Sequence, residues 1–286
     1  MGGGHRGAAT SGSALGGPGT GIGRYWDQPP AGVAAATVLL LHGWAGTADL
    51  NWSAAYQPLL AAGFRVLSLD LLGHGLGARD RPFTLEAAAD AAATLVRGAG
   101  VAKVVVAGHS MGGSVALLFA RRHPDLTAGL VLMATQATWP GIPPRWMLLP
   151  AGRLAALASR PLLSHGARSI LGTDPQRNAW IHDELRPSSM RHLAQALVAM
   201  REFDARPWLN EITVPTIVLV TTRDTLVEPE RQRHLAAQIP SAGIIEVEID
   251  HSDPPSRPGP FPERLVAAVR ACLEDGRPPG PVSNSA

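Results

Sequence analysis

At 286 residues, with 45% hydrophobic and 17% charged residues, the chain has a globular composition and enough length to bury a sizeable core. Its net charge of +2, with scattered arginines and no Lys/Arg block, argues against nucleic acid as a partner. The single cysteine, Cys272, excludes an internal disulfide and sits where an apolar helix face is expected.

Residues 1–23 are rich in Gly, Ser, Ala and Thr, hold no apolar run of signal-peptide length and read as a flexible tail. Gly2 does not open an acylation motif, because Arg6 stands where Ser or Thr is needed. Residues 274–286 read as a second tail. No apolar run reaches membrane-spanning length, so a cytoplasmic protein without a membrane span is expected.

Between the tails, short apolar runs alternate with helical patterns. Thr37–Leu41 runs into His42-Gly43-Trp44, and Arg65–Leu69 into Asp70 and then Gly73-His74-Gly75. A short helix is expected near Pro58–Ala62, closed by Gly63. Thr84 caps a helix with Leu85, Ala88, Ala92, Leu95 and Val96 on one face, ended by Gly98 and Gly100. Val104–Ala107 is the next strand, Ser114–Arg122 the next helix, and Gly129–Thr135 a further strand. Strands apolar on both faces, alternating with helices, predict an α/β fold: a parallel sheet covered on both sides.

The alternation breaks from Gln136 to about Asn210. Helical patterns at Arg153–Ser159, Pro175–Arg186 and Ser188–Phe203 are joined by Pro- and Trp-rich loops. Met190, Leu193, Leu197 and Met200 form a stripe at helical spacing, which core packing explains most simply; a lid over a pocket is the functional alternative. Alternation resumes with Thr216–Val220, a helix from Pro229 stopped by Pro240, a strand over Ile244–Ile249, and a helix over Pro262–Leu273.

The chemistry centres on Gly108-His109-Ser110-Met111-Gly112-Gly113. A strand, a sharp turn and a helix are the context a G-x-S-x-G nucleophile requires. Acyl transfer to serine also needs a base, a carboxylate that orients it, and donors for the oxyanion. His251 and Asp224 follow the last two strands, at the edge where open parallel sheets place their sites. Asp70 is better suited to stabilising a turn. Asp250, adjacent to His251, would face the imidazole poorly. His42, His74 and His109 are read as hydrogen-bonded turn histidines; His165, His182, His192 and His234 are read as solvated. His182-Asp183-Glu184 is not a metal site, because adjacent helical residues point different ways, and no metal or cofactor is expected.

His42-Gly43-Trp44, Asp70-Leu71-Leu72-Gly73-His74-Gly75, Gly108–Gly113, Asp224 with Pro229 five residues on, and Asp250-His251 together resemble the α/β-hydrolase superfamily over about residues 36–273. The resemblance implies Ser110 as nucleophile, Asp224 as acid and His251 as base. It implies the Trp44 and Met111 backbone N–H groups as the oxyanion hole. It divides the chain into a core of residues 24–135 and 211–273 and a helical cap of residues 136–210. Departures occur at Gly77, where relatives often carry serine, and at Ile249-Asp250, where many have a glycine before the histidine. The implied activity is a serine hydrolase cleaving an ester or thioester of a small to medium apolar substrate, with Trp139, Trp146 and Met147 lining the acyl pocket. Carbon–carbon bond hydrolases, perhydrolases and acyltransferases share the same triad, and a ligand-sensing homologue keeps the pocket with little turnover. Haloalkane dehalogenases and epoxide hydrolases use an aspartate nucleophile, which Ser110 argues against.

Overall fold

The computed structural model describes residues 13–15, 21–142, 175–251 and 259–274. Its centre is an eight-stranded sheet of order β1-β2-β4-β3-β5-β6-β7-β8. The strands are β1 (Ser13–Leu15), β2 (Arg24–Gln28), β3 (Ala36–Leu41), β4 (Phe64–Leu69), β5 (Val104–His109), β6 (Thr127–Met133), β7 (Thr216–Thr221) and β8 (Ala242–Val247). β1 and β2 run antiparallel; every pairing from β4 through β8 is parallel.

The parallel strands alternate their buried side chains between two cores, as strand geometry requires. Leu39 and Leu41 of β3 face one, Val38 and Leu40 the other. The first core is closed by helices α2 (Leu85–Gly98) and α3 (Met111–Arg122) and by Leu235 and Ala236 of α6 (Pro229–Ala237). The second is closed by α1 (Ala48–Ala61) and α7 (Phe261–Leu273), which set Trp52 against Phe261 at 6.1 Å between ring centroids. Truncating a side chain such as Phe119, fully buried in the first core, costs about 3–5 kcal/mol.

Several elements differ from the sequence reading: β2 has no counterpart in it, and β8 spans Ala242–Val247 where Ile244–Ile249 is expected. Ser13–Leu15, inside the stretch read as a tail, pair with Arg24–Trp26 as the outermost strand. The helix expected near Pro58 starts ten residues earlier, at Ala48, where Thr47 Oγ1 caps it by accepting the Leu50 N–H at 3.2 Å. Pro58 sits inside its last turns instead of opening it.

Between β6 and β7 the described residues form α4 (Pro175–Leu185) and α5 (Met190–Glu202). These are fastened to the loops that follow β3 and β4. Ser189 N–H donates to Gly73 O at 2.7 Å, Gly75 N–H to Ser188 Oγ at 2.9 Å, and Phe83 N–H to Gln195 Oε1 at 3.0 Å. Of the predicted stripe, Leu193 and Met200 are buried while Met190 and Leu197 are half-buried; Met200 belongs to the first core, together with Ala196.

Candidate active site

Ser110 lies between the end of β5 and the first residue of α3, with φ 54° and ψ −120°. A non-glycine residue there carries about 1–3 kcal/mol of strain and persists only where its surroundings impose it. The Ser110 N–H donates to Met133 O on β6, and its carbonyl accepts the Gly113 N–H, both at 2.9 Å. Close packing adds to the constraint: a Cβ on Gly112 would stand 2.2 Å from Leu41 O, and one on Gly108 2.3 Å from Gly112 O. The two glycines let α3 start directly against β3 and β5.

The three residues expected to act together do meet. His251 Nε2 is 3.1 Å from Ser110 Oγ, and His251 Nδ1 is 2.8 Å from Asp224 Oδ2. An ionised carboxylate can only accept, so Nδ1 carries the proton and Nε2 faces the serine hydroxyl as an acceptor. Asp224 Oδ1 accepts the N–H groups of Leu226 and Val227 at 2.9 and 2.8 Å. Burial works against ionisation of Asp224, but the His251 bond and charge and these two amides outweigh it. The carboxyl is held below its usual range.

Two residues that the sequence reading missed complete this corner. Thr221, the last residue of β7, donates its hydroxyl to Asp224 Oδ2 at 3.0 Å. Gln232, fully buried on α6, donates from Nε2 to Thr221 Oγ1 and Val227 O, each at 2.7 Å, and accepts the Thr221 N–H at 3.0 Å. Because Gln232 fills an acceptor position of the hydroxyl, the Thr221 proton is directed to Asp224. Neither residue belongs to a recognisable motif.

On the opposite side, Met111 is the first residue of α3, where a backbone N–H has no intrahelical acceptor and the helix dipole favours negative charge. The Gly43-Trp44 loop is held by His42. Its Nε2 accepts the Leu71 N–H at 2.8 Å, so its Nδ1–H donates to Gly43 O at 2.8 Å. Burial pushes the His42 pKa down to about 4, so it stays neutral and joins the loops after β3 and β4. The Trp44 indole Nε1 donates to Leu193 O of α5 at 2.9 Å, and the ring remains 41% exposed.

Asp70 is bound to turn amides and not to a histidine. It accepts from Ala48 N, Leu76 N and Arg24 Nε at 2.9, 3.0 and 2.9 Å. It is Asp224 that bonds the His251 ring. His74 is buried with its pKa lowered to about 3, first by burial. His192 is not solvated: it is buried, with its ring nitrogens 2.8 Å from Ser189 Oγ and 3.0 Å from Arg81 O, because α5 docks on the loop after β4. His182 is solvent-exposed, and among the described residues no cluster of three or more His, Cys, Asp or Glu could hold a metal. Nor is any described helix long and apolar enough to cross a membrane. Cys272 is buried beside Leu130 O at 3.2 Å, and burial pushes its thiol up to about 12. Trp139 is buried in the first core with its Nε1 donating to Ser114 Oγ of α3 at 2.9 Å. Trp146 and Met147 lie outside the described residues.

This chain belongs to the alpha/beta hydrolase fold family, whose model matches residues 36–257. Among curated proteins, a pimeloyl-[acyl-carrier protein] methyl ester esterase of Neisseria meningitidis (serogroup B, strain MC58) is 30% identical over 225 residues, 75% of this chain and 85% of that protein. The enzyme of the same name from Sodalis glossinidius is 30% identical over 255 residues, 84% of this chain and 95% of its own. A solved esterase from Thermogutta terrifontis superposes with a TM-score of 0.73 at 27% identity, covering 89% of this chain and 95% of that one.

Proposed function

We propose that the chain is a carboxylic ester hydrolase working through an acyl-serine intermediate. The observation that carries this reading is the continuous line from Asp224 Oδ2 through His251 to Ser110 Oγ, with contacts of 2.8 and 3.1 Å. Ser110 attacks the ester carbonyl while His251 Nε2 takes its proton; Asp224 stabilises the imidazolium that forms. The tetrahedral oxyanion is received by the Trp44 and Met111 N–H groups. His251 then protonates the leaving alkoxide, and on deacylation it activates water against the acyl-enzyme.

The methyl ester esterase relatives support an ester as substrate. The cap, residues 136–210, supplies the apolar wall that selects the acyl part, with Trp139, Trp146 and Met147 as its contributors. An apolar wall gains at most about 0.8 kcal/mol per methylene, so specificity rises with chain length over a few carbons and then falls.

The test is covalent labelling with a fluorophosphonate, run beside turnover of p-nitrophenyl esters of graded acyl length. Wild type is expected to label and turn over, and Ser110→Ala to fold normally and do neither. Undiminished turnover in Ser110→Ala would discard the mechanism.

A further inference from the structure

Asn51 is a polar residue on the buried face of α1, between Ala48, Trp52 and Ala55, with 5% of its surface exposed. A buried amide is costly unless its hydrogen bonds are made. Both ends of this one are used. Oδ1 accepts the Gly43 N–H at 2.7 Å, and Nδ2 stands 3.3 Å from His109 Nδ1. A backbone N–H can only donate, so Oδ1 must face Gly43 and Nδ2 must face His109. An amide NH2 can only donate, so His109 Nδ1 is an acceptor and the proton of the neutral ring is on Nε2.

The position of this pair matters. Gly43 is held at its N–H by Asn51 and at its carbonyl by His42 Nδ1 at 2.8 Å and Gly46 N at 3.2 Å. The next peptide N–H is that of Trp44. On the other side, the His109 ring lies 5.1 Å from the His251 ring and also bonds the His251 backbone. Burial first, and the neighbouring His251 second, push the His109 pKa down to about 3. No second cation therefore stands beside the imidazolium that His251 becomes.

We infer that Asn51 is a positioning residue of this site: it seats the oxyanion loop through Gly43 and fixes His109 as an uncharged, Nε2-protonated imidazole against His251. The inference takes the roles of the oxyanion loop and of His251 from the serine-hydrolase reading; the tautomer of His109 follows from the hydrogen bonds alone. One side chain of α1 thus ties together the oxyanion loop, the residue before the nucleophile and the backbone of the base.

The experiment uses the full chain, with Asn51→Leu, which keeps the volume and loses both bonds, and Asn51→Asp, which keeps the acceptor for Gly43. Asn51→Leu is expected to lower kcat about tenfold to a hundredfold, somewhat less than deleting an oxyanion donor outright, with KM little changed. Its affinity for a trifluoromethyl ketone, which forms a tetrahedral adduct, should fall by the same factor. Asn51→Asp should recover only part of that loss, because Gly43 is still bound while the donation that keeps His109 Nδ1 unprotonated is gone. Nitrogen-15 NMR of labelled histidine should show His109 Nδ1 unprotonated in wild type from pH 6 to 8 and protonated in Asn51→Asp. Unchanged kcat in Asn51→Leu, or a KM that rises by as much as kcat falls, would overturn the positioning role. A protonated His109 Nδ1 in wild type would overturn the tautomer. If Asn51→Leu does not fold, the spectra of wild type and the activity of Asn51→Asp decide. A wild type that fails to label with fluorophosphonate sinks the hydrolase reading instead and leaves the NMR result standing.

Discussion

Glu184 on α4 and Arg24 on β2 are joined by a two-pronged ion pair that crosses from the β6–β7 segment to the sheet. Arg24 Nη1 donates to Glu184 Oε1 at 3.1 Å and Nη2 to Oε2, while its Nε donates to Asp70 Oδ2 at 2.9 Å. Thr47 Oγ1 adds a donation to Glu184 Oε2 at 2.9 Å. The side chains are only 14% and 13% exposed, so solvent screens the pair little. Glu184→Ala leaves Arg24 its bond to Asp70 but removes charged bonds worth about 2 kcal/mol. Urea unfolding should show a loss of that order; a change within error would mean that α4 is not held there in solution.

Asp49, close to Glu184 at the start of α1, has its pKa raised to about 7, first by burial and second by the Glu184 charge. The folded chain therefore holds a proton that the unfolded chain releases near 3.8. The stabilisation from that proton is complete below about pH 4 and is lost as pH rises through 7. Asp49→Asn, which stays neutral, should gain stability over wild type above pH 7, on the order of a few kcal/mol, and should match it near pH 4. Parallel stability–pH curves for the two proteins would contradict this.

The buried histidines act with the opposite slope. His42, His74 and His109 have their pKa values lowered by burial to about 4, 3 and 3. The unfolded chain takes up protons near 6.5 that the folded chain refuses, so their contribution is full above that pH and is lost as pH falls below it. Near pH 5, unfolding should be accompanied by uptake of protons, visible as a fall in urea midpoint with decreasing pH. This slope should be steepest in Asp49→Asn, where the opposing group is absent. No such slope would mean that these rings are hydrated.

The nucleophile turn was legible because its requirements are local. A strand that ends in Gly108 and Ser110 with Gly112 and Gly113 behind has few alternatives, and Asp224 and His251 stand where strands end. The parts that escaped depend on contacts between distant segments. Asn51 is an ordinary helical asparagine until α1 lies against the Gly43 loop. Thr221 and Gln232 become partners only when α6 packs on β7. His192 looks like a surface residue until α5 meets the loop after β4. β2 buries only Trp26 among its five residues, too little alternation to announce a strand. Pro58 reads as a helix boundary, yet the Thr47 cap defines the helix eleven residues earlier.

The Asp224 corner allows orientation of the base to be separated from its charge. Asp224→Asn keeps the shape but lets the amide favour the wrong imidazole tautomer, and kcat should fall by roughly four orders of magnitude. Thr221→Val keeps the carboxylate and removes the donation to Oδ2 at 3.0 Å. The carboxylate then has His251 as its side-chain donor on that oxygen, while the Leu226 and Val227 amides still hold Oδ1. Accordingly, kcat should fall about tenfold, the change expected for about 1.4 kcal/mol from one charged hydrogen bond. The valine also leaves the Gln232 amide at Thr221 short of an acceptor, so a loss of stability should accompany the loss of rate. Gln232→Leu added to Thr221→Val removes that orphaned donor. It also unpairs the Thr221 N–H and the Val227 carbonyl that Gln232 holds, so the double variant should lose further stability without recovering kcat. Steady-state kinetics and urea melts on the three variants check the ordering. A Thr221→Val enzyme as slow as Asp224→Asn would mean that the hydroxyl, and not the carboxylate, sets the tautomer of His251.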